Sequence, residues 1–343
     1  MPYEKIVIGT DGSATAGVAE RVAVELAKAA NAELVIVSAY TDEESKLRSE
    51  EAVSAGRERS EASGVRADAQ AIEGEPAAAL TEAADRGDAD LVVVGDVGLG
   101  GPKRFRLGGI ADQVSHAMPC DLLIVRTAAR DPAKTPGVYA RVLIATDGSP
   151  TADRAARVGN DVATAVGAEV ELLHVGDETM GRILLRDTAQ RLGNEEMPRR
   201  TLEGDPGDRI VEVAEAQGHD LVVVGNKGMS GAMRFLLGAV PDKVSHLAPC
   251  DVLVVNTTGR SVEDLEPGEG AVVTVGRKKV AAYRDESGEL TMLSPKCKHL
   301  GCTVGWNHRA KTWDCPCHGS RYEADGTVLR GPTRRPLDPL DSA

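Results

Sequence analysis

The chain has 343 residues, of which 42% are hydrophobic, and it carries a formal net charge of −13. This length predicts two or three domains, and the acidic balance argues against nucleic-acid binding, which needs a basic footprint. There is no signal peptide and no run of about 18 apolar residues, so we expect a soluble, cytoplasmic protein without membrane association.

The first three quarters of the chain contain an internal repeat. Residues 6–13 (IVIGTDGS) recur as 142–149 (VLIATDGS), an offset of 136 residues. Further along, residues 90–95 (DLVVVG) recur unchanged at 220–225, an offset of 130. We therefore expect the second copy to lack six residues from the charged region that corresponds to 42–68.

Each copy alternates continuous apolar strands with helical patterns. After the first strand, Val18, Val22 and Leu26 recur at four-residue spacing, which is typical of an amphipathic helix. Strands without polar alternation indicate a parallel sheet that is covered by helices on both faces. The predicted fold class is therefore α/β, with two doubly wound domains at residues 1–130 and 138–257, followed by a smaller all-β domain.

A loop with regularly spaced glycines follows the fourth predicted strand of each copy. The spacing G-x-x-G-x9-G occurs twice, at Gly95, Gly98 and Gly108 and at Gly225, Gly228 and Gly238. Such glycines let backbone N–H groups approach a phosphate, and the next helix favours an anion at its N-terminus. Asp11 and Asp147, which follow the first strand of each copy, are expected at the same carboxyl edge of the sheet. The alternative is that these loops only form tight strand-to-helix turns.

Taken together, the two copies resemble the universal stress protein family in its nucleotide-binding branch, as a tandem pair over residues 1–257. The resemblance implies that Asp11 and Asp147 contact the adenosine part of ATP or another adenine nucleotide. It also implies that Val175 meets adenine through its backbone and that the loop glycines surround the phosphates. There is no G-x-x-x-x-G-K-[ST] motif, so a P-loop is not expected.

The sequence departs from this family pattern at three positions. Ala39 stands where the second copy has Val175. Gly109 and Ala239 follow the last loop glycines, where the family pattern has Ser or Thr. The side-chain hydrogen bond to phosphate is therefore missing, which is worth about 0.5–1.5 kcal/mol for a neutral bond. The backbone donors remain.

Two Cys and two His residues of the repeat are predicted to be structural. Cys120 and Cys250 precede the last strand of each copy and are interpreted as small buried hydrophobic residues. His116 and His246 lie on the preceding helix and are interpreted as packing or capping groups.

Residues 262–343 are predicted to form a small antiparallel β domain. Residues 271–275 and 279–283 are short β-branched or apolar runs, and the Asp325-Gly326 pair marks a tight turn. Trp306 and Trp313 are expected to build a small core or a hairpin.

Two boxes of Cys and His residues occur in this region, at 297–302 (CKHLGC) and 315–320 (CPCHGS). A Cys-x-His box and a Cys-x-x-His box supply two thiolates to one iron and two imidazoles to the other, which is the Rieske [2Fe–2S] arrangement. Neutral imidazoles make the cluster easier to reduce, with potentials of about −150 to +300 mV. The predicted ligands are Cys297 and Cys315 on one iron and His299 and His318 on the other. A Cys2His2 zinc site is the alternative.

These boxes resemble those of disulfide-bearing Rieske proteins, and the resemblance covers about residues 262–337. It implies that Cys302 and Cys317 form a disulfide that joins the two cluster loops. It also implies that Ser320 and Tyr322 donate hydrogen bonds to a cluster sulfur and a ligand sulfur. A zinc site would explain none of these four residues.

The sequence thus predicts a stress-response protein that combines adenine-nucleotide binding with a Rieske electron-transfer or redox-sensing module. No catalytic residue is predicted, and the stretch after His318 is too short for the mononuclear-iron domain of an oxygenase. A separate redox partner protein is expected, and a homodimer is one option for assembly. Two alternatives remain: a nucleotide-responsive adaptor without electron transfer, and a ferredoxin-like donor to a separate oxidoreductase.

Overall fold

The computed structural model describes most of the chain. The described residues are 3–86, 89–97, 108–118, 120–127, 138–226, 238–256, 262, 265, 267–275, 278–299, 301–307, 310–315 and 319–340. They divide into two compact units, residues 1–257 and residues 258–343. None of the helices in the described part is long and apolar enough to cross a bilayer.

The first unit contains both copies of the repeat. The elements of the first copy are β1 (Lys5–Gly9), α1 (Ala14–Ala30), β2 (Glu33–Tyr40), α2 (Glu43–Ala62), β3 (Ala67–Glu73), α3 (Pro76–Arg86), β4 (Leu91–Gly95), α4 (Gly109–Ala117) and β5 (Asp121–Val125). Those of the second copy are β6 (Arg141–Ala145), α5 (Pro150–Val166), β7 (Glu169–Val175), α6 (Glu178–Arg191), β8 (Arg199–Leu202), α7 (Pro206–Gln217), β9 (Leu221–Gly225), α8 (Ala239–Leu247) and β10 (Asp251–Val255).

The length of one helix explains the change of offset between the copies. Helix α2 has 20 residues, whereas its counterpart α6 has 14. The difference of six residues lies within the charged region where the sequence predicted it.

The ten strands described in the first unit form one sheet, in the order β3-β2-β1-β4-β5-β10-β9-β6-β7-β8. Pairing is parallel within each copy, and the predicted α/β fold is confirmed. The copies meet through β5 and β10, which pair antiparallel with Leu123 opposite Leu253. Apolar side chains on both faces of the sheet are buried beneath the helices, in two separate clusters. The repeats therefore share one continuous core on each face.

Polar side chains at equivalent positions of the two copies form hydrogen bonds around the β5–β10 junction. The Tyr3 hydroxyl donates to Asp121 Oδ2 at 3.1 Å, and the Tyr139 hydroxyl donates to Asp251 Oδ2 at 3.0 Å. In addition, the Asn256 backbone N–H donates to Asp121 Oδ1 at 2.8 Å. Both carboxylates are buried, and each accepts hydrogen bonds from both copies. Burial raises the pKa of Asp121, and the nearby Arg154 guanidinium only partly offsets this effect.

One pair at this junction differs between the copies. In the first copy, the Arg126 guanidinium lies 3.8 Å from Asp96 Oδ2 and donates to the Ala248 carbonyl at 3.0 Å. In the second copy, the equivalent positions are Asn256 and Asn226, whose amides are hydrogen-bonded at 3.2 Å. An ion pair in one copy is thus replaced by a neutral amide pair in the other, which avoids leaving one buried charge alone.

The second unit is formed by short antiparallel strands. They are β11 (Glu269–Val275), β12 (Lys278–Arg284), β13 (Leu290–Leu293), β14 (Gly305–Asn307), β15 (Thr312–Asp314), β16 (Arg321–Tyr322) and β17 (Val328–Arg330). They form a three-stranded sheet, β11-β12-β13, and a four-stranded sheet, β14-β15-β16-β17. The predicted antiparallel β domain is therefore confirmed. Trp306 pairs with Trp313 across β14 and β15, with ring centroids 4.8 Å apart, as the predicted hairpin requires.

Candidate metal centre and nucleotide sites

The two Cys/His boxes of the second unit share a pattern of backbone hydrogen bonds between their described end residues. In the first box, the Cys297 N–H donates to the Cys302 carbonyl at 2.8 Å, and the Gly301 N–H donates to the Cys297 carbonyl at 2.9 Å. In the second, the N–H of Cys315 donates to the Ser320 carbonyl at 2.7 Å, and the N–H of Gly319 donates to Cys315 at 3.2 Å. Each box is therefore a closed loop whose first residue is a cysteine.

A glycine with positive φ completes each loop. Gly301 has φ 74° and Gly319 has φ 70°, a left-handed conformation that glycine adopts without a steric penalty. This requirement explains why Gly occupies the fifth position of both boxes, although the spacing of Cys and His differs between them.

The two cysteines that begin the boxes are buried in the core of the domain. Cys297 and Cys315 are 2% and 3% exposed and pack with Trp313 and Tyr322. The Tyr322 hydroxyl lies 3.1 Å from Cys297 Sγ and accepts the Lys298 backbone N–H at 3.2 Å. Burial opposes ionisation of the Cys297 thiol, but the Tyr322 hydroxyl, the His299 backbone N–H and the side chains of Ser320 and Cys315 outweigh it and lower the pKa of Cys297.

The other predicted cluster residues differ in exposure. His299 is exposed. Ser320 is fully buried, and its hydroxyl forms no hydrogen bond of normal geometry with a described residue, but it lies close enough to Cys297 to help lower the pKa of that thiol. Cys302 is half-buried against the same core. His318 and Cys317 lie outside the described residues.

These observations fit a mixed-ligand iron–sulfur centre. Two buried thiols begin boxes whose ends are closed by the same backbone hydrogen bonds, an imidazole is exposed, and the Ser320 hydroxyl is a buried donor beside the Cys297 thiol. A buried polar group without a partner is costly unless another group, such as an acceptor sulfur, satisfies it. Sequence reasoning identified each of these residues from the motifs.

An ion pair beside the second box was missed by the sequence analysis. Arg321 donates from Nε and from Nη2 to the two Asp314 carboxylate oxygens, both at 2.7 Å. Burial raises the pKa of Asp314, but the Arg321 hydrogen bonds outweigh burial and hold it below its usual value. The two residues directly flank Cys315 and Ser320, so the pair clamps the ends of the loop. The only sequence signal was their opposite charge at these flanking positions.

The candidate nucleotide residues of the first unit lie where the strand order reverses. In the order β3-β2-β1-β4-β5, the switch point is between β1 and β4, and the same holds for β6 and β9. Asp11 follows β1, and Gly95 ends β4. Likewise, Asp147 follows β6, and Gly225 ends β9. Ligands of open α/β sheets bind in this crevice, at the carboxyl ends of the strands.

In each copy, the glycine that ends the loop is hydrogen-bonded to the residue that directly follows the preceding strand. The Gly108 N–H donates to the Asp96 carbonyl at 2.8 Å, and the Gly238 N–H donates to the Asn226 carbonyl at 2.9 Å. A Cβ on Gly108 would lie only 3.0 Å from the Asp96 carbonyl oxygen. The close approach of these two backbone segments therefore favours glycine at position 108. Gly98 and Gly228 lie outside the described residues.

The repeated Thr-Asp-Gly-Ser motif also has a structural role. The carboxylate of Asp11 accepts the Ser13 N–H at 2.9 Å, and that of Asp147 accepts the Ser149 N–H at 3.0 Å. The two serines in turn cap α1 and α5. The motif therefore forms the turn from strand to helix, whatever else it binds.

The copies differ around their switch points. Ala39 and Val175 occupy equivalent positions, near the ends of β2 and β7. The Ala39 carbonyl accepts a hydrogen bond from the Ser49 hydroxyl at 2.9 Å, and the Val175 side chain is half-buried. In the second copy, a Cβ on Gly148 would lie 2.2 Å from Leu184, whereas in the first the nearest atom to Gly12 is a methyl carbon at 3.3 Å. The second crevice is thus more crowded next to its Asp.

Fold and site together define a tandem, doubly wound α/β protein with a β domain of mixed Cys and His boxes. A family model of the universal stress protein family matches residues 2–126, 139–181 and 178–256, and the chain belongs to this family. A model of the Rieske [2Fe-2S] domain matches residues 258–341. The chain therefore joins two universal stress protein copies to a Rieske [2Fe-2S] domain.

The repeat unit has the fold of solved universal stress proteins. One from Archaeoglobus fulgidus superimposes with a TM-score of 0.60 at 20% identity, covering 74% of this chain and 98% of that one. This likeness concerns the fold alone.

Two iron–sulfur proteins are similar to about a quarter of the chain. A protein of Bacillus subtilis, described as the Rieske 2Fe-2S iron-sulfur protein YhfW, is 49% identical over 79 residues, which is 23% of this chain. The cytochrome b6-f complex iron-sulfur subunit 2 of Trichormus variabilis is 39% identical over 99 residues, 28% of this chain. The chain spans only 16% and 51% of the length of these two relatives.

Proposed function

We propose that the chain is a stress-response protein that transfers electrons or senses redox state through its Rieske domain and binds an adenine nucleotide in its repeat unit. The observation that carries this proposal is the pair of boxes that begin with the buried Cys297 and Cys315 and are closed by the same backbone hydrogen bonds. The domain boundaries that we propose are 1–130, 138–257 and 262–343.

The proposed cluster ligands are Cys297, His299, Cys315 and His318. A bound [2Fe–2S] cluster supplies one-electron chemistry at a raised potential. The chain contributes a buried thiolate side, stabilised by the Tyr322 hydroxyl, and an exposed imidazole at His299. The exposed side is where a redox partner protein would approach.

Iron and inorganic sulfide analysis, combined with EPR after reduction, tests this assignment on the full chain. We expect two irons and two sulfides per chain and a Rieske-type signal. Cys297→Ser and Cys315→Ser should each lose the signal, whereas Cys120→Ala, in the repeat unit, should keep it. Zinc in place of iron and sulfide would contradict the proposal.

We also propose the disulfide between Cys302 and Cys317. Its support is the motif resemblance and the position of Cys302 at the end of the first loop. Thiol labelling of the unreduced, unfolded chain, read by mass spectrometry, should leave both cysteines unlabelled. Labelling of both without prior reduction would contradict the disulfide.

The nucleotide sites are proposed at the two switch points. Support comes from the position of Asp11 and Asp147 beside loops that close on Gly108 and Gly238. Binding at these edges would use backbone N–H groups, because Gly109 and Ala239 offer no hydroxyl.

Calorimetry with ATP and AMP tests nucleotide binding, and the Asp11→Asn and Asp147→Asn variants assign it to a copy. Asn keeps the oxygen that accepts the serine N–H, so the turn should persist. We expect loss of binding in at least one variant and full binding in Asp161→Asn, an exposed control on α5. Unchanged binding in both would contradict the sites.

Redox titration with and without nucleotide distinguishes the two alternative functions. A shift of the midpoint potential on adding nucleotide would demonstrate coupling and support a sensor. Nucleotide binding without a redox-active cluster would instead indicate an adaptor, and a redox-active cluster without nucleotide binding would indicate a simple electron donor.

A further inference from the structure

Two histidines and two aspartates of the repeat unit meet across the boundary between its copies. Asp112 and His116 lie on α4, and Asp242 and His246 lie at the equivalent positions of α8. His246 Nε2 is 3.5 Å from Asp112 Oδ1, and His116 Nε2 is 4.0 Å from Asp242 Oδ1. Each copy therefore presents an imidazole to the carboxylate of the other.

The orientation of both imidazoles is fixed by their own helices. His116 Nδ1 lies 2.9 Å from the Asp112 carbonyl oxygen, and His246 Nδ1 lies 2.9 Å from the Asp242 carbonyl oxygen. A carbonyl can only accept, so Nδ1 carries the hydrogen in both rings. In a neutral imidazole, Nε2 is then an electron-pair donor that faces the opposite helix. Metal-binding histidines commonly have such a carbonyl partner on their second nitrogen.

When the imidazoles are neutral, each Nε2 and the carboxylate oxygen that it faces are both hydrogen-bond acceptors, and no described donor lies between them. In a neutral imidazole, Nε2 would repel the carboxylate oxygen that it faces, so a positive species is needed between them. Lys and Arg do not provide it, because the ion pairs of Asp112 and Asp242 among the described residues involve only these two imidazoles.

The distances favour a metal ion over a proton. Charge-assisted hydrogen bonds from nitrogen to carboxylate are about 2.7–2.9 Å long, shorter than both separations across the boundary. Two ligands of one tetrahedral zinc, bound at about 2.0–2.2 Å, lie about 3.3–3.6 Å apart. The 3.5 Å separation matches this value, and ligand atoms of Asp112, Asp242 and His246 all lie within 4.8 Å of one another. The 4.0 Å separation of His116 from Asp242 is longer, so His116 would have to move closer to become the fourth ligand.

We propose that Asp112, His116, Asp242 and His246 form a binding site for a divalent transition metal, with zinc as the first candidate. Two imidazoles and two carboxylates make a ligand set that suits zinc. All four side chains are between 29% and 45% exposed, so an ion can enter from solvent. The ion would clamp α4 to α8 and so join the two helices that follow the glycine loops.

A zinc titration of the full chain with its iron–sulfur centre loaded tests this site. Calorimetry and thermal unfolding are compared for the wild type and for His116→Gln/His246→Gln. We expect the wild type to bind one more zinc ion than the variant and to unfold at a higher temperature when zinc is added. The variant should lose more affinity than the roughly 10–100-fold typical of outer-shell changes.

Two further variants control the comparison. Asp112→Asn/Asp242→Asn should also weaken zinc binding, while Asp85→Asn/Asp161→Asn, which removes two exposed carboxylates elsewhere, should bind as the wild type does. Helical circular dichroism checks that each variant is folded, and EPR checks that the iron–sulfur centre is unchanged. Equal zinc binding in the wild type and the His variant would overturn the proposal. So would a wild type whose unfolding temperature does not respond to zinc.

Discussion

The Tyr322 hydroxyl shows how one side chain can set the properties of a redox centre. It accepts the Lys298 N–H, so its own hydrogen is available to the sulfur of Cys297, 3.1 Å away. A donor directed at a ligand sulfur stabilises the reduced, more negative state of a cluster. The pKa of Tyr322 is raised, first by burial and then by this contact, so the phenol remains a donor.

Replacing Tyr322 by Phe should therefore lower the midpoint potential of the centre. A fall on the order of 50 mV is expected, which corresponds to roughly 1 kcal/mol for a one-electron couple. Redox titration followed by EPR measures it. Tyr283→Phe is the matched control, because its ring stacks on Trp306 and lies in the same domain. An unchanged potential in Tyr322→Phe would argue against the role of this hydroxyl.

At the level of elements, the second box depends on a segment that comes after it in the chain. Gly331 has φ 117°, and a Cβ at this position would lie 2.5 Å from the Ser320 Cα atom. The backbone of Gly331 thus packs directly against the end of the loop that begins at Cys315.

Gly331→Ala should displace this loop and reduce the amount of bound cluster. The left-handed conformation alone costs roughly 1–2 kcal/mol for Ala, and the contact with Ser320 adds to it. Gly288→Ala is the control, since Gly288 has φ 90° but nothing within 4 Å of its added methyl group. Iron and sulfide per chain should fall only in Gly331→Ala, and equal loss in both variants would disprove the steric explanation.

The junction of β5 and β10 allows a test of the two alternative polar pairs. Arg126→Asn should cost about 3–5 kcal/mol, because Asp96 then lacks its buried guanidinium. The double variant Asp96→Asn/Arg126→Asn copies the Asn226–Asn256 pair of the other repeat and should recover more than half of this loss. Urea unfolding, followed by helical circular dichroism, measures both. A double variant no more stable than the single one would contradict the equivalence.

At the scale of the whole molecule, the contribution of Asp121 to the stability of the repeat unit should fall as the pH rises. The native pKa of Asp121 lies above its unfolded value of about 3.9, so the native state binds a proton more tightly than the unfolded state. Stability from this group is present below the unfolded pKa and is lost as the pH rises through the raised native pKa. Asp121→Asn keeps a neutral side chain that can accept the Asn256 N–H.

The free energy of unfolding of Asp121→Asn, relative to the wild type, should therefore increase from acidic to neutral pH. Denaturant unfolding at several pH values, read by the helical signal of the repeat unit, checks the trend. Asp161→Asn, which removes an exposed carboxylate, serves as the control for lost charge. A difference that is constant across the pH range would contradict the assignment to Asp121.

Much of this architecture could be predicted because local patterns determine it. The uninterrupted apolar strands and the two offsets predicted the parallel sheets, and the boxes identified Cys297 and Cys315. The single ten-stranded sheet could not be predicted, because the antiparallel contact of β5 with β10 depends on edge pairing over long separations. For the same reason, the partners of His116 and His246 were missed: each faces a residue about 130 positions away.

The joining of two copies in one chain has a consequence for how each copy can change. Arg154 lies 3.7 Å from Asp121, but the equivalent position of the first copy is Val18. Likewise, Asn256 of the second copy is equivalent to Arg126 of the first. In an assembly of identical subunits, every substitution at the axis occurs twice and must be compatible with itself. Gene duplication removes this constraint, so the two crevices of this chain are free to diverge towards separate ligands while the sheet between them is preserved.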